Sequence, residues 1–228
     1  MPLSTDSPSF LATFLFDLGA IKIDLEKGFR LKLHETNPDA PLSPIYLNLH
    51  TPDNPKPGPL DESSVGILGG ILWQHAKTNH LKFDAVAGLP NAGTPLAKAL
   101  VTVAGWKQVQ LPYVTLGKTE GGSGRKIEKV LDRGGAKPGE TVLVVDDLIT
   151  RGDSKNEGIE ALVADGFKVT DVLVLVDREQ GGAADLAERG IRLWSLTTLK
   201  KIVRLLAQEN KITPLVCDRV LQYLNYQQ

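Results

Sequence analysis

This chain of 228 residues contains one cysteine, one methionine and four histidines, and its formal net charge is −1. Each scarcity removes a class of function. A lone cysteine, Cys217, can form neither an intramolecular disulfide nor a cysteine-based metal site. The basic residues are scattered and are not interleaved with the few aromatics, which argues against a surface that stacks bases or tracks a nucleic-acid backbone. No apolar run approaches the ~18 residues needed to cross a bilayer, and the first residues lack a signal-peptide pattern. The histidines, at 34, 50, 75 and 80, have no ligand spacing with carboxylates. The expectation is an ordinary cytoplasmic protein, sized for one α/β domain or a core with a small appendage.

Proline is plentiful but unevenly placed. Of 14 prolines, those from Pro38 to Pro59 crowd one stretch, which excludes a long helix or a central strand there. Before it, residues 8–19 read as a short helix stopped by Gly19, followed by a brief strand at 21–25. Tyr46 to Leu49 suits a short edge strand. Residues 63–79 read as a helix, with Ser63 or Ser64 near its start.

From Phe83 onward, apolar strands at 84–89, 108–114, 141–146, 171–176 and 191–195 alternate with helices at 94–105, 154–166 and 182–189. This βαβ rhythm predicts a central parallel sheet flanked by helices, with right-handed crossovers. One or two amphipathic helices are expected over 198–226. The reading divides the chain into a small N-terminal hood (1–80), a core (81–200) and C-terminal helices (201–228).

The most informative stretch is Val142-Leu-Val-Val-Asp146-Asp147-Leu-Ile-Thr150-Arg-Gly152-Asp153-Ser154. Its apolar run fits a strand covered on both faces and ending in two adjacent carboxylates. Gly152 permits a tight turn, and Ser154 reads as the N-cap of the next helix. Such a turn aims backbone N–H groups and hydroxyls at one spot before a helix's positive end, which suits a phosphate monoester. Two carboxylates beside a phosphate would repel it unless they serve another purpose. Holding a ribose diol, or Mg²⁺ through its waters, provides one. Phosphate, diol and Mg²⁺ together describe a 5-phosphoribosyl group.

Two further strand ends meet the same edge, where ligands of open α/β sheets bind. After Leu89 comes the small loop Pro90-Asn91-Ala92-Gly93, whose backbone amides could cradle a pyrophosphate; Thr94-Pro95 reads as the N-cap and first residue of the helix that follows. The strand 171–176 runs into Asp177-Arg178-Glu179, which places a guanidinium at the ligand edge. Arg suits bidentate capture of a planar carboxylate or imide. Gly117-Lys118-Thr119 imitates the end of a nucleotide-binding P-loop, but Pro112 stands where the first glycine is required.

The 142–154 segment resembles the phosphoribosyl pyrophosphate signature of the type I phosphoribosyltransferases. Val172 to Gly182, with Asp177-Arg178-Glu179-Gln180-Gly181-Gly182, resembles the strand-end motif of the orotate phosphoribosyltransferases, and Val86 to Ala97 their first strand-loop-helix unit. Phe29-Arg-Leu-Lys32 and Ser43-Pro-Ile-Tyr46 are similar to two further segments of that family, and the likeness covers roughly residues 10 to 205. It implies an enzyme that joins orotate to phosphoribosyl pyrophosphate, with Mg²⁺ carried by substrate and waters and no protein ligand to the metal. It also implies a homodimer.

Carried over residue by residue, the resemblance implies that Thr150, Gly152, Asp153 and Ser154 hold the 5-phosphate and that Asp146 and Asp147 hold the ribose hydroxyls. Asn91, Ala92 and Gly93 face the pyrophosphate, Arg178 and Lys32 reach the base, and Lys118 contacts pyrophosphate. The departure lies at 113–131, where the family carries a mobile loop with an Arg-Lys pair, a further Lys and a His-Gly. Here Lys118 matches the first Lys, the His is absent, and Arg125, Lys126 and Lys129 stand at shifted positions among the glycines. Two other readings stay open: a phosphoribosyltransferase for another base, since the phosphoribosyl site alone does not choose the acceptor, or, from that departure, a regulatory protein that binds phosphoribosyl pyrophosphate or a nucleotide without turnover.

Overall fold

The structure is a computed structural model that describes residues 8–31, 33–121, 124–150 and 153–226. The chain opens with α1 (Pro8–Asp17), β1 (Ile21–Ile23), the single turn α2 (Leu33–Thr36) and β2 (Ile45–Leu47). β1 and β2 pair antiparallel as a separate two-stranded sheet, with Lys22 opposite Tyr46. Most of the proline-rich stretch stays irregular, as its missing N–H donors require. α3 (Glu62–Thr78) follows; its N-cap is Asp61, whose carboxylate accepts from the Ser64 N–H at 2.8 Å and the Ser64 hydroxyl at 2.6 Å. Ser63 and Ser64 do lie in the first turn, but the cap is the acid two residues before Ser63, and Ser64 serves as its donor.

The main sheet has six strands in the order β5-β4-β3-β6-β7-β8. They are β3 (Ala85–Gly88), β4 (Tyr113–Gly121), β5 (Gly124–Asp132), β6 (Val142–Ile149), β7 (Asp171–Asp177) and β8 (Arg192–Thr198). Pairing is parallel from β4 through β8, and β5 alone runs antiparallel. α4 (Gly93–Trp106), α5 (Asp153–Ala164) and α6 (Gly182–Glu188) cross between the strands, and α7 (Leu199–Gln208) and α8 (Pro214–Tyr226) close the chain. The near-continuous valine and leucine runs of β6 and β7 are fully buried because both sheet faces are covered. Val86, Leu143, Val145 and Leu173 face one core with α1, α3, α4, α7 and α8, whereas Ala87, Val144, Val172 and Val174 face the other with α5 and α6. Gly69 of α3 lets that helix lie against α4, since a Cβ there would sit 2.5 Å from the Ala99 Cβ.

Two elements differ from the sequence expectation. Residues 108–112 are not a strand, and the 113–131 segment, read as an irregular loop, forms the β4–β5 hairpin. Only Tyr113 and Val114 of β4 pair with β3; beyond them the strand leaves the parallel sheet and takes β5 as partner, ending with Gly121 opposite Gly124. Paired strands around a short glycine-rich connection are a hairpin signal as much as a mobility signal. The second difference is at β6, which continues through the acid pair to Ile149 because Leu148 and Ile149 still pair with Val176 and Asp177 of β7.

Candidate active site

The order of the sheet reverses at β3 and β6: the chain leaves β3 toward β4 on one side and returns with β6 on the other. A crevice at the carboxyl ends of such neighbouring strands is the standard ligand site of an open α/β sheet. Here it is flanked by the 89–93 loop after β3 and by Asp146 and Asp147 of β6. The Gly93 N–H donates to the Leu89 carbonyl, which folds the loop back, and the Leu89 N–H is held by the Val145 carbonyl. A Cβ on Gly93 would lie 2.4 Å from the Val145 carbonyl oxygen and 2.8 Å from Asp146 Oδ1, so only glycine fits. α4 begins at Gly93 after Ala92, with no side-chain cap. Thr94 is thus already inside the helix, and its hydroxyl meets the phenol of Tyr113.

Asp146 and Asp147 are both buried, at 6% and 7% exposure. Asp146 uses both oxygens within the protein: Oδ1 accepts the Asp147 N–H at 2.9 Å, and Oδ2 accepts from Lys155 Nζ at 2.6 Å. Asp147 Oδ1 accepts the Leu148 N–H at 2.8 Å. Strict alternation is lost here, with Leu148 leaning on the first core and Ile149 in the second. Burial pushes the Asp147 carboxyl up to about 8, the Asp146 charge adds to the rise, and Lys155 opposes it. Of this acid pair, Asp147 is the member whose charge is easily neutralised. Lys155 is a residue that sequence reasoning missed; its place three positions past Gly152 gave no sign that it reaches back to β6.

One strand over, Ile149 is in register with Asp177, and the Arg178 N–H donates to the Ile149 carbonyl at 3.0 Å. Arg178 Nε is buried with no hydrogen-bond partner. Burial lowers the basicity of this guanidinium, and the Tyr223 hydroxyl nearby counters that effect. Asp177 instead accepts the Glu179 N–H at 2.7 Å, which supports Glu179 in the left-handed region at φ 58°. Gly182 packs so closely on Ile149 and the Thr150 carbonyl that a Cβ would clash at 2.5 Å. The Asp-Arg-Glu corner is thereby locked to the end of β6. Tyr223, on α8, had no sequence signal at all; its hydroxyl also donates to the Pro41 carbonyl at 3.4 Å, tying the C-terminal helix to the N-terminal hood.

In the hood, the two short segments singled out in the sequence meet. Phe29 and Ser43 exchange backbone hydrogen bonds at 2.7 and 2.9 Å, and the rings of Phe29 and Tyr46 stack at 5.7 Å. His34 Nδ1 accepts the Leu31 N–H at 2.8 Å, and its Nε2 faces the Ala40 carbonyl at 3.2 Å. The longer connection between the segments is thus organised around one buried histidine. Lys32 and Gly152 lie outside the described residues. Asp153 and Ser154 open α5, so Ser154 is in the first helical turn and not at the cap. Lys118 lies on β4 with its backbone opposite Ile127. Among the described residues no group of three or more His, Cys, Asp or Glu could hold a metal ion. No helix among them is long and apolar enough to cross a membrane.

With this geometry in view, comparison with known proteins is direct. Residues 62–189 match the family model of the phosphoribosyl transferase domain. The chain is 34% identical over 215 residues to uridine 5'-monophosphate synthase of Bos taurus, covering 94% of this chain but 40% of that protein. It is 36% identical over 173 residues to orotate phosphoribosyltransferase of Caenorhabditis elegans, covering 75% of this chain and 70% of the relative. The crystal structure of orotate phosphoribosyltransferase from Aeropyrum pernix superposes with a TM-score of 0.62 at 30% identity, over 87% of this chain and 98% of the other. The chain thus spans well under half of the bovine synthase and most of the single-activity relatives. It belongs to the phosphoribosyl transferase domain family and, within it, to the orotate phosphoribosyltransferases.

Proposed function

We propose that this chain transfers the phosphoribosyl group of phosphoribosyl pyrophosphate to orotate, giving orotidine monophosphate and pyrophosphate in pyrimidine biosynthesis. The observation that carries the choice of base is Arg178: a guanidinium with a buried, unpartnered Nε at the carboxyl end of β7, one strand from the acid pair. A buried donor without a partner is costly, and an anionic planar acceptor such as orotate's carboxylate or imide would satisfy it. In this reading Thr150, Gly152, Asp153 and Ser154 receive the 5-phosphate. Asp146 and Asp147 hold the ribose hydroxyls, the amides of Asn91, Ala92 and Gly93 face the pyrophosphate, and Lys32 reaches the base from the hood.

The reaction separates charge, positive at ribose C1 and negative on the departing pyrophosphate. An acid pair below the sugar favours the first, and cations near the leaving group favour the second. Lys118 on the β4–β5 hairpin is assigned the second task. Mg²⁺ belongs to the reading as a hard cation that neutralises the pyrophosphate when bound. The residues present fit an ion carried by the substrate: the oxygen donors at the crevice are one carboxylate already bonded to Lys155 and one whose charge is easily lost. The reading extends to the cytoplasm and to a homodimer; exposed apolar side chains such as Trp106 at 75% and Leu131 at 59% are ones that a second copy could cover.

The test is the orotate absorbance change on mixing the protein with phosphoribosyl pyrophosphate and Mg²⁺, beside an Asp146→Asn/Asp147→Asn control. Turnover that vanishes in the control is the expected result. Absence of turnover with orotate, despite calorimetric binding of phosphoribosyl pyrophosphate, would overturn it.

A further inference from the structure

Lys155 is the third residue of α5, and only 6% of its side chain is exposed. Its ammonium donates to Asp146 Oδ2 and to the Leu148 carbonyl, both at 2.6 Å. One side chain thus binds the acid-bearing strand at two points, on either side of Asp147. A buried ion pair of this kind is a poor source of stability, because an apolar side chain of similar volume would fill the space without the desolvation cost. The pair instead restricts geometry. Asp146, already held through Oδ1 by the Asp147 N–H, has neither oxygen free to turn, and α5 cannot slide along β6 without breaking a buried charge contact.

We propose that Lys155 is a positioning residue for the phosphoribosyl donor: it clamps the first turn of α5 to the Asp146–Leu148 stretch of β6 and so fixes the spacing between the 5-phosphate position and the carboxylates that hold the ribose diol. This rests on the phosphoribosyl reading above. The clamp does not touch the donor. It matters to ligands that span both positions and is indifferent to those that occupy one.

The experiment compares calorimetric affinities of wild type, Lys155→Met and Lys155→Arg for two probes, phosphoribosyl pyrophosphate with Mg²⁺ and inorganic phosphate. Lys155→Met is expected to weaken phosphoribosyl pyrophosphate about 10–100-fold, the range of coupling between residues in one network, and inorganic phosphate by less than about threefold. Lys155→Arg, which keeps the charge and the donors, is expected to recover part of the loss. Equal weakening of both probes, or no weakening, overturns the clamp. Wild type that binds neither probe overturns the phosphoribosyl reading and the clamp with it.

Removing Lys155 strands a buried Asp146, so Lys155→Met is prone to misfold. In that event the neutral pair Asp146→Asn and Asp146→Asn/Lys155→Met serves. The clamp predicts that the double variant binds phosphoribosyl pyrophosphate more weakly than the single one, because the Leu148 contact of Lys155 is lost as well, while inorganic phosphate binds both within about threefold. A double variant within about twofold of the single one for phosphoribosyl pyrophosphate, or one equally weakened for both probes, overturns it.

Discussion

Gly93 and Asp146 stand so close that no side chain fits between them: a Cβ on Gly93 would lie 2.8 Å from Asp146 Oδ1 and 2.9 Å from its Cα. The loop assigned to pyrophosphate and the strand assigned to the ribose are therefore in direct contact, and neither can move alone. Gly93→Ala should push the 89–93 loop out of place. A misplacement on this scale costs about 10²-fold in rate for a reaction that depends on orientation. The expected result is a loss of that order in kcat/KM for phosphoribosyl pyrophosphate, read in the orotate absorbance assay. An alanine variant within twofold of wild type would show that the loop has no part in holding the donor.

Arg178 offers a cleaner separation of substrates. If its unpartnered Nε meets the base, Arg178→Ala should raise KM for orotate about 10–100-fold, the worth of a charge-assisted hydrogen bond, and change KM for phosphoribosyl pyrophosphate little. Arg178→Lys should recover only part, since an ammonium lacks the planar fork. Equal losses for both substrates would count against the role. Tyr223 provides an internal check: Tyr223→Phe, which removes the hydroxyl near Arg178, should raise KM for orotate in the same sense but less.

The Asp147 carboxyl makes stability depend on pH. Burial first, then the Asp146 charge, raises it from 3.8 to about 8 in the folded chain. Between those values the native state binds a proton that the unfolded chain has released. Stability should therefore fall as pH rises through this window, by up to ~1.4 kcal/mol per pH unit for one proton. Thermal melts of the ligand-free protein from pH 5 to pH 8 should show Tm declining, and Asp147→Asn should flatten that decline. A variant whose Tm falls as steeply as the wild type would mean that another group carries the linkage.

Much of the core was legible because its signals are local. Continuous valine and leucine runs marked β6 and β7, the small Pro90-Asn-Ala-Gly93 run after an apolar strand marked the 89–93 loop, and acids directly after an apolar run marked the crevice. What escaped depends on contacts far apart in sequence. Lys155 reads as one more charge on a polar helix until β6 is placed beneath it. Tyr223 stands 45 residues beyond Arg178 in the chain and meets it only because α8 folds back over the site. The hairpin was misread for another reason: glycine marks both mobile loops and hairpin ends, and composition alone does not separate the two. The caps read at Thr94 and Ser154 both lie inside their helices, which begin at Gly93 and Asp153.

The hairpin itself yields the last prediction. Its register sets Lys118 opposite Ile127, Thr119 opposite Lys126 and Gly117 opposite Lys129, so the lysine positions of β5 pair with the neighbours of Lys118 on β4 and not with Lys118 itself. Lys118 thus has Ile127 and no cation as its cross-strand partner, and it alone is assigned to the departing pyrophosphate. Lys118→Ala should then lower kcat by about 10²-fold with little change in KM for orotate, the pattern of a group that acts on charge developing in the transition state. Lys126→Ala and Lys129→Ala should each cost less, and their effects should multiply with that of Lys118→Ala, since their positions do not pair with it. If Lys118→Ala turns over within threefold of wild type while Lys126→Ala is crippled, the catalytic cation has moved across the hairpin to β5. In that case the charge the family needs at the leaving group would be supplied here from the opposite strand.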